Sequence, residues 1–299
     1  MTLTSSRRKM RDNDSAPLIG GPPKSPFVRL IRHLCLIGLC VLMLYPVLWM
    51  LSSSLKPQSE IFSNLGLWPA EFTLDNYIEG WNALQYGFDV FFLNSLVIAA
   101  ASVVGNLMSC SLAAYVIARL EFRGRKSVLA IVLITLMLPY HVVVVPQYIM
   151  FSSFGWVNTF WPIILPKFLA TDAFFIFLMV QFIRGLPRQL DEAARLDGCG
   201  PFGIYWRIIL PLTLPALATT AIFTFIWSWN EFFIPLIYLT DPAMQTVPLA
   251  LRAFQDSTGE SSFGSLFAMS MLALAPILGF FIAAQKYLVE GIATTGTKG

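Results

Sequence analysis

Lys167, Asp172 and Glu231 each interrupt a long apolar run. An ionised side chain at the centre of a bilayer costs about 2.5–3.5 kcal/mol on insertion scales, so each needs a functional or structural reason to be there. Glu231 stands beside Trp227, Trp229 and Asn230. Aromatic rings stack on the CH-rich faces of sugars, and an amide with a carboxylate supplies donors and acceptors for hydroxyls. The set suits a solute pathway. A second reading makes the tryptophans interfacial anchors and pairs Glu231 with another chain. Lys167 and Asp172 are five apart, off the four-residue spacing of a helical ion pair, so a direct contact is left open. His33 and His141 are the only histidines, on different apolar runs and without a nucleophile–base motif, so no catalytic residue is expected. Cys35, Cys40, Cys110 and Cys199 have no metal or disulfide spacing.

The most polar segment between apolar runs is "EAARLDGCGPFGIYWRIILP", residues 192–211. Pro187 suits a first helical turn, and "RQLDEAARLD" is rich in helix formers. Asp191 and Arg195 stand four apart, acid first, the order that favours a surface ion pair. Leu190, Ala193, Ala194 and Asp197 share one face, and the two alanines make it shallow enough for close approach. Gly198 supplies the left-handed residue that stops a helix, and Gly200-Pro201 opens a new one. The pattern predicts a short helix, a sharp turn and a second helix. It is either a plain surface hairpin or a docking element whose shallow face enters a groove on a soluble partner.

The elements around these residues are membrane spans. Only 12% of residues are charged and 56% are hydrophobic, where soluble domains carry about 25% charged residues. A bilayer core needs roughly 20 apolar residues per helix. Six candidates answer, at about residues 30–51, 93–118, 127–150, 160–184, 208–237 and 267–288. Most of the 20 Lys and Arg residues fall in the N-terminal tail, the second-to-third loop (Arg119, Arg123, Arg125, Lys126), the Gly-broken segment and the C-terminus. The opposite loops hold Lys56 and Arg252. The positive-inside rule then places both termini and residues 187–211 in the cytoplasm. Residues 1–28 read as a disordered tail, 29–91 as the first span with an extracytoplasmic loop, 92–288 as the core transmembrane domain and 289–299 as a C-terminal tail. "GGPPKS" lacks the glycine before lysine and the preceding strand of a phosphate loop. A net charge of +3 gives no reason to expect nucleic acid. Pro139, Pro146, Pro162 and Pro166 break the third and fourth spans, and freed carbonyls are tolerable there only against protein or a wet cavity. His141 and Gln147 are candidates to face that cavity. Asn94 and Asn106 read as interhelical hydrogen-bond partners.

Glu192-Ala193-Ala194, Gly198 and the later Ile208-x-Leu210-Pro211 resemble the EAA loop of ABC importer permeases at every defining position. "WNEFFIPLIYL" (229–239) resembles the fifth span of sugar-importer permeases, and "GIATTGTKG" resembles the tail of the MalG-like family, with Thr295 where a second glycine is common. The resemblance covers residues 30–299. It implies an all-α integral membrane protein with six transmembrane helices in the type I ABC importer permease fold, with a cytoplasmic coupling helix between spans four and five.

By that resemblance the chain is a permease subunit of an ATP-driven, binding-protein-dependent carbohydrate importer in the bacterial inner membrane, and not an enzyme. ATP and Mg2+ are bound by two partner ATPases, and no cofactor is bound by this chain. A MalF-like second permease completes the pathway, and an extracytoplasmic binding protein delivers the sugar. Leu190, Asp191, Glu192, Ala193, Ala194, Leu196, Asp197, Gly198, Pro201 and Phe202 become the ATPase-coupling set, with Gly296, Lys298 and Gly299 as a tail contact. The rival readings are an ion-coupled secondary transporter working through Asp172, Glu231 or His141, and an intramembrane enzyme. The first has no need of the Gly-broken cytoplasmic helix.

Overall fold

A computed structural model describes residues 26–257 and 263–295. The helices in chain order are α1 (Pro26–Ser54), α2 (Asp75–Asn82), α3 (Phe88–Arg119), α4 (Arg125–Met137), α5 (Tyr140–Ser153), α6 (Trp161–Phe168), α7 (Ala173–Gly185), α8 (Gln189–Leu196), α9 (Pro201–Ile204), α10 (Leu210–Leu212), α11 (Leu214–Asn230), α12 (Phe233–Tyr238), α13 (Val247–Ser257) and α14 (Phe263–Thr295). A π-helical turn, Tyr205–Ile209, joins α9 to α10. No strand occurs among the described residues. The described residues divide into two units, 26–48 and those from Trp49 onward. α1 begins at Pro26 and carries Arg29, Arg32 and His33 before an uninterrupted apolar run, residues 34–51.

Four helical stretches are long and apolar enough to cross a bilayer: Pro26–Ser54, Phe88–Arg119, Trp161–Gly185 and Phe263–Lys286. Two more are bent pairs, α4 with α5 by 100° and Pro201–Leu212 with α11 by 75°. Counting each pair as one gives six. The third and fifth spans are therefore not the straight runs that hydropathy predicts. Pro139 lacks an N–H and forces Leu138 into an extended conformation (ψ 120°), which ends α4. Thr213 interrupts the fifth run between Pro211 and Pro215. The expected fifth span also ends early, because α11 stops at Asn230 and Glu231 is extended.

α3 is the central post, packed against α6, α7 and α11, with α11 in turn on α14. At 1.5 Å per residue its 32 residues reach about 48 Å. Its buried face repeats at helical spacing and is built from small residues: Ser95, Ala99, Ser102, Gly105, Cys110 and Ala114. Without a hydrophobic drive between helices in lipid, such residues let backbones meet and gain dispersion contacts. Gly105 shows how close they come. A Cβ there would lie 2.7 Å from the Phe168 ring and 3.1 Å from the Lys167 carbonyl carbon.

The segment between α1 and α2 is an ordered loop rather than a loose one. Ile61 is fully buried, and so is Lys56, whose ammonium donates to the carbonyls of Asn64 and Gly66, both at 2.6 Å. Glu60 accepts from the Ala70 N–H and the Asn64 amide, each at 2.6 Å. These bonds, the Ala70 one foremost, hold the Glu60 carboxyl below its usual value.

Candidate coupling loop and pathway cavity

The Gly-broken segment folds as its residues dictate. Leu186 is extended before Pro187 (ψ 143°), which ends α7. Asp191 and Glu192 sit in the first turn of α8, where negative charge suits the helix dipole. At its other end, Gly198 adopts φ +82°. The Gly198 N–H bonds to Arg195 O at 3.0 Å and the Cys199 N–H to Ala194 O at 2.9 Å, the two bonds of a Schellman cap. Gly200 is extended and Pro201 opens α9.

The ten coupling-set residues divide between two faces. Asp191 and Ala194 are buried, whereas Leu190, Glu192, Ala193, Leu196, Asp197, Gly198, Pro201 and Phe202 are exposed. Leu196 is 90% exposed and Phe202 64%, high values for large apolar side chains. The expected pair between Asp191 and exposed Arg195 gives way to another. Asp191 turns inward to Arg119, the last residue of α3, with Nε and Oδ2 3.4 Å apart. Arg119 also donates from Nη2 to Leu186 O at 2.9 Å. The Tyr115 hydroxyl donates to Pro201 O at 2.8 Å, and Ser111 Oγ shares a 2.7 Å hydrogen bond with the Tyr205 hydroxyl. Arg119 looks like an orientation charge in the sequence; its place directly at the end of an apolar run was the signal that it caps a span. Gly296, Lys298 and Gly299 lie outside the described residues.

The six candidate pathway residues also separate. Lys167, Asp172, Trp227 and Glu231 line one cavity of about 590 Å³, together with Tyr140 and Gln147. Lys167 and Asp172 do pair, Nζ to Oδ2 at 3.0 Å. The helix breaks between them, with Ala170 at φ +53°, and this turn closes a five-residue gap that a continuous helix would leave open. Asp172 accepts from the Asn106 amide at 2.5 Å, and that amide also donates to Thr224 Oγ1 at 3.1 Å. Trp227 is half exposed, with Phe174 and Phe175 rings at 5.7 and 5.2 Å. Glu231 Oε1 accepts from the N–H groups of Phe233 and Ile234 and fixes the start of α12.

Trp229 and Asn230 lie elsewhere. Trp229 is 2% exposed, stacks on Phe225 and donates from Nε1 to Ala273 O at 3.1 Å. Asn230 donates to Ile226 O in its own helix. Both border a different cavity, beside Pro248 and Arg252. Helical geometry explains the split. Positions 227 and 231 are one turn apart, while 229 is rotated about 200° from 227. His141 rests against the Phe233 ring at 5.2 Å and does not line the pathway cavity. Asn94 donates to Ala243 O and Gln245 O, so it holds the short turn before α13 rather than another span. Among the described residues no cluster of His, Cys, Asp and Glu could hold a metal.

Residues 105–293 match the family of binding-protein-dependent transport system inner membrane components. The chain belongs to that family. It is a multi-pass inner-membrane permease of the ABC importer class, not an enzyme. The permease is 34% identical over 280 residues to the arabinooligosaccharides transport system permease protein AraQ of Bacillus subtilis (strain 168), covering 93% of this chain and 98% of that one. It is 33% identical to the trehalose/maltose transport system permease protein MalG of Thermococcus litoralis, covering 90% and 97%. Its fold matches a solved bacterial ABC transporter for import of the acidic polysaccharide alginate, with a TM-score of 0.78 and 22% identity over 89% of this permease and 99% of that chain.

Proposed function

We propose that this permease forms half of the translocation pathway of an ATP-driven carbohydrate importer and receives the ATPase stroke through α8. The observation that carries the reading is the rigid, Schellman-capped α8 with its exposed Leu190, Glu192, Ala193 and Leu196 and the neighbouring exposed Phe202. A short exposed helix that carries apolar side chains and an acid, held through buried Asp191 and Ala194 on its other side, suits a groove on a soluble subunit. Two ATPase subunits supply ATP and Mg2+ binding, a second permease completes the pathway, and an extracytoplasmic binding protein delivers the solute. The distribution of Lys and Arg supports a cytoplasmic position for the termini and α8.

The carbohydrate class is supported by AraQ and MalG, both permeases for oligosaccharide or disaccharide transport by name. The cavity chemistry agrees. Trp227 with Phe174 offers an aromatic wall, and Lys167, Asp172, Glu231 and Gln147 offer polar groups for hydroxyls.

The test is reconstitution. The permease with its companion permease, ATPases and binding protein imports an oligosaccharide only with hydrolysable ATP. Uptake by this chain alone, driven by an ion gradient, contradicts the reading.

A further inference from the structure

We propose that α3 is the rod that carries motion from α8 to the cavity, with Arg119 as the positioning residue at its α8 end; this rests on α8 being the ATPase contact. Both covalent exits from the α8 segment are breaks in the helix. On the α7 side lies extended Leu186 with Pro187, and on the α11 side lies the Thr213 break with its 75° bend. A displacement of α8 is absorbed at such breaks, since a few element-terminal residues take up the change in φ and ψ.

α3 has no such break. From Phe88 to Arg119 it is one helix without proline. Its residues 111, 115 and 119 stand one turn apart on one stripe, and they are bonded to the π-helical turn, the start of α9 and α8, through Tyr205, Pro201 and Asp191 respectively. At the other end of the same stretch, Asn106 is bonded to Asp172, and Ser109 Oγ donates to Lys167 O at 2.6 Å. From 106 to 119 the helix spans about 20 Å. It therefore joins α8 to the Lys167–Asp172 pair in the cavity wall by polar contacts at both ends.

The Arg119–Asp191 contact is suited to positioning more than to stability. Asp191 Oδ1 is buried without a hydrogen-bond partner, and Arg119 Nε, though within ion-pair distance, is not aligned as a donor. A buried pair left incompletely bonded is a weak stabiliser, yet it fixes which groups meet.

The experiment measures solute import and ATP hydrolysis on the same reconstituted complex, with yield of the assembled complex recorded beside them. The double variant R119M/D191L removes both charges without leaving one unpaired. In the complex that assembles, solute imported per ATP hydrolysed is expected to fall at least tenfold. Arg119→Lys keeps the charge but loses the two-point grip and is expected to fall between the two. Should R119M/D191L not accumulate, Arg119→Lys decides by the same ratio. A native ratio in the assembled variants, with any loss confined to yield, overturns the proposal. Import without ATP hydrolysis by the unmodified complex overturns the functional reading itself and this inference with it.

Discussion

Arg119 and Asp191 join the C-terminal end of α3 to the first turn of α8, and their side chains are 3% and 10% exposed. Cutting a buried pair on one side leaves an uncompensated charge, at about 3–5 kcal/mol, whereas replacing both partners with apolar groups is often neutral. Asp191→Leu alone is therefore expected to lower the unfolding midpoint in detergent, and R119M/D191L to restore most of the loss. Equal midpoints for the single and double variants would contradict this.

Trp227 and Trp229 are two residues apart with opposite fates. Trp229→Ala empties a packed site and is expected to destabilise the protein by about 3–5 kcal/mol. Trp227→Ala removes a half-exposed ring and is expected to weaken solute transport while moving the unfolding midpoint little. Thermal unfolding and uptake on both variants separate the two, and a reversed pattern would reassign the cavity.

Gly198 holds φ +82° with nothing within 4 Å of the site a Cβ would occupy. Backbone strain is thus the whole effect of Gly198→Ala, about 1–2 kcal/mol. Fraying of the α8 cap is the expected result, seen as faster hydrogen exchange at Gly198 and Cys199. Glu192→Lys, on the exposed face, is expected to leave the membrane level intact and to lose co-purifying ATPase.

Gly105→Val is expected to spread α3 from α6, because Phe168 and the Lys167 backbone both stand inside contact distance of the new side chain. Overpacking of this kind costs about 1–3 kcal/mol. The variant should show a lowered unfolding midpoint together with reduced transport, since Lys167 belongs to the cavity. A native midpoint would mean that the helices part without cost.

Glu60 gives the loop between α1 and α2 a pH dependence. Its carboxyl titrates below the usual value in the folded loop, chiefly through the Ala70 N–H. A depressed folded value contributes stability that is present above the unfolded value, near 4.3, and lost as pH falls through the folded one. Hydrogen exchange at Ala70 should therefore quicken below about pH 4. In Glu60→Gln this acid-dependent step should vanish.

Much of this protein is written in local sequence. Apolar run length and the scarcity of charge specify the spans, because lipid tolerates only structures whose backbone groups bond internally, and a single apolar run does so as a helix. The cap at Gly198, the start at Pro201 and the extended Leu186 follow from residue-level conformational preferences, and the EAA spacing names the family. Tertiary structure alone decided the partners. Hydropathy does not report that Pro139 turns a span by 100°, since it counts apolarity and not direction. Spacing left Lys167 and Asp172 open because it presumes an unbroken helix, and a turn at Ala170 brings them together. Asp191 pairs with Arg119 instead of Arg195 because burial against α3 strengthens the distant contact over a solvated neighbour. Which face of a helix meets protein, cavity or solvent depends on what packs beside it, and a single strand of sequence does not carry that.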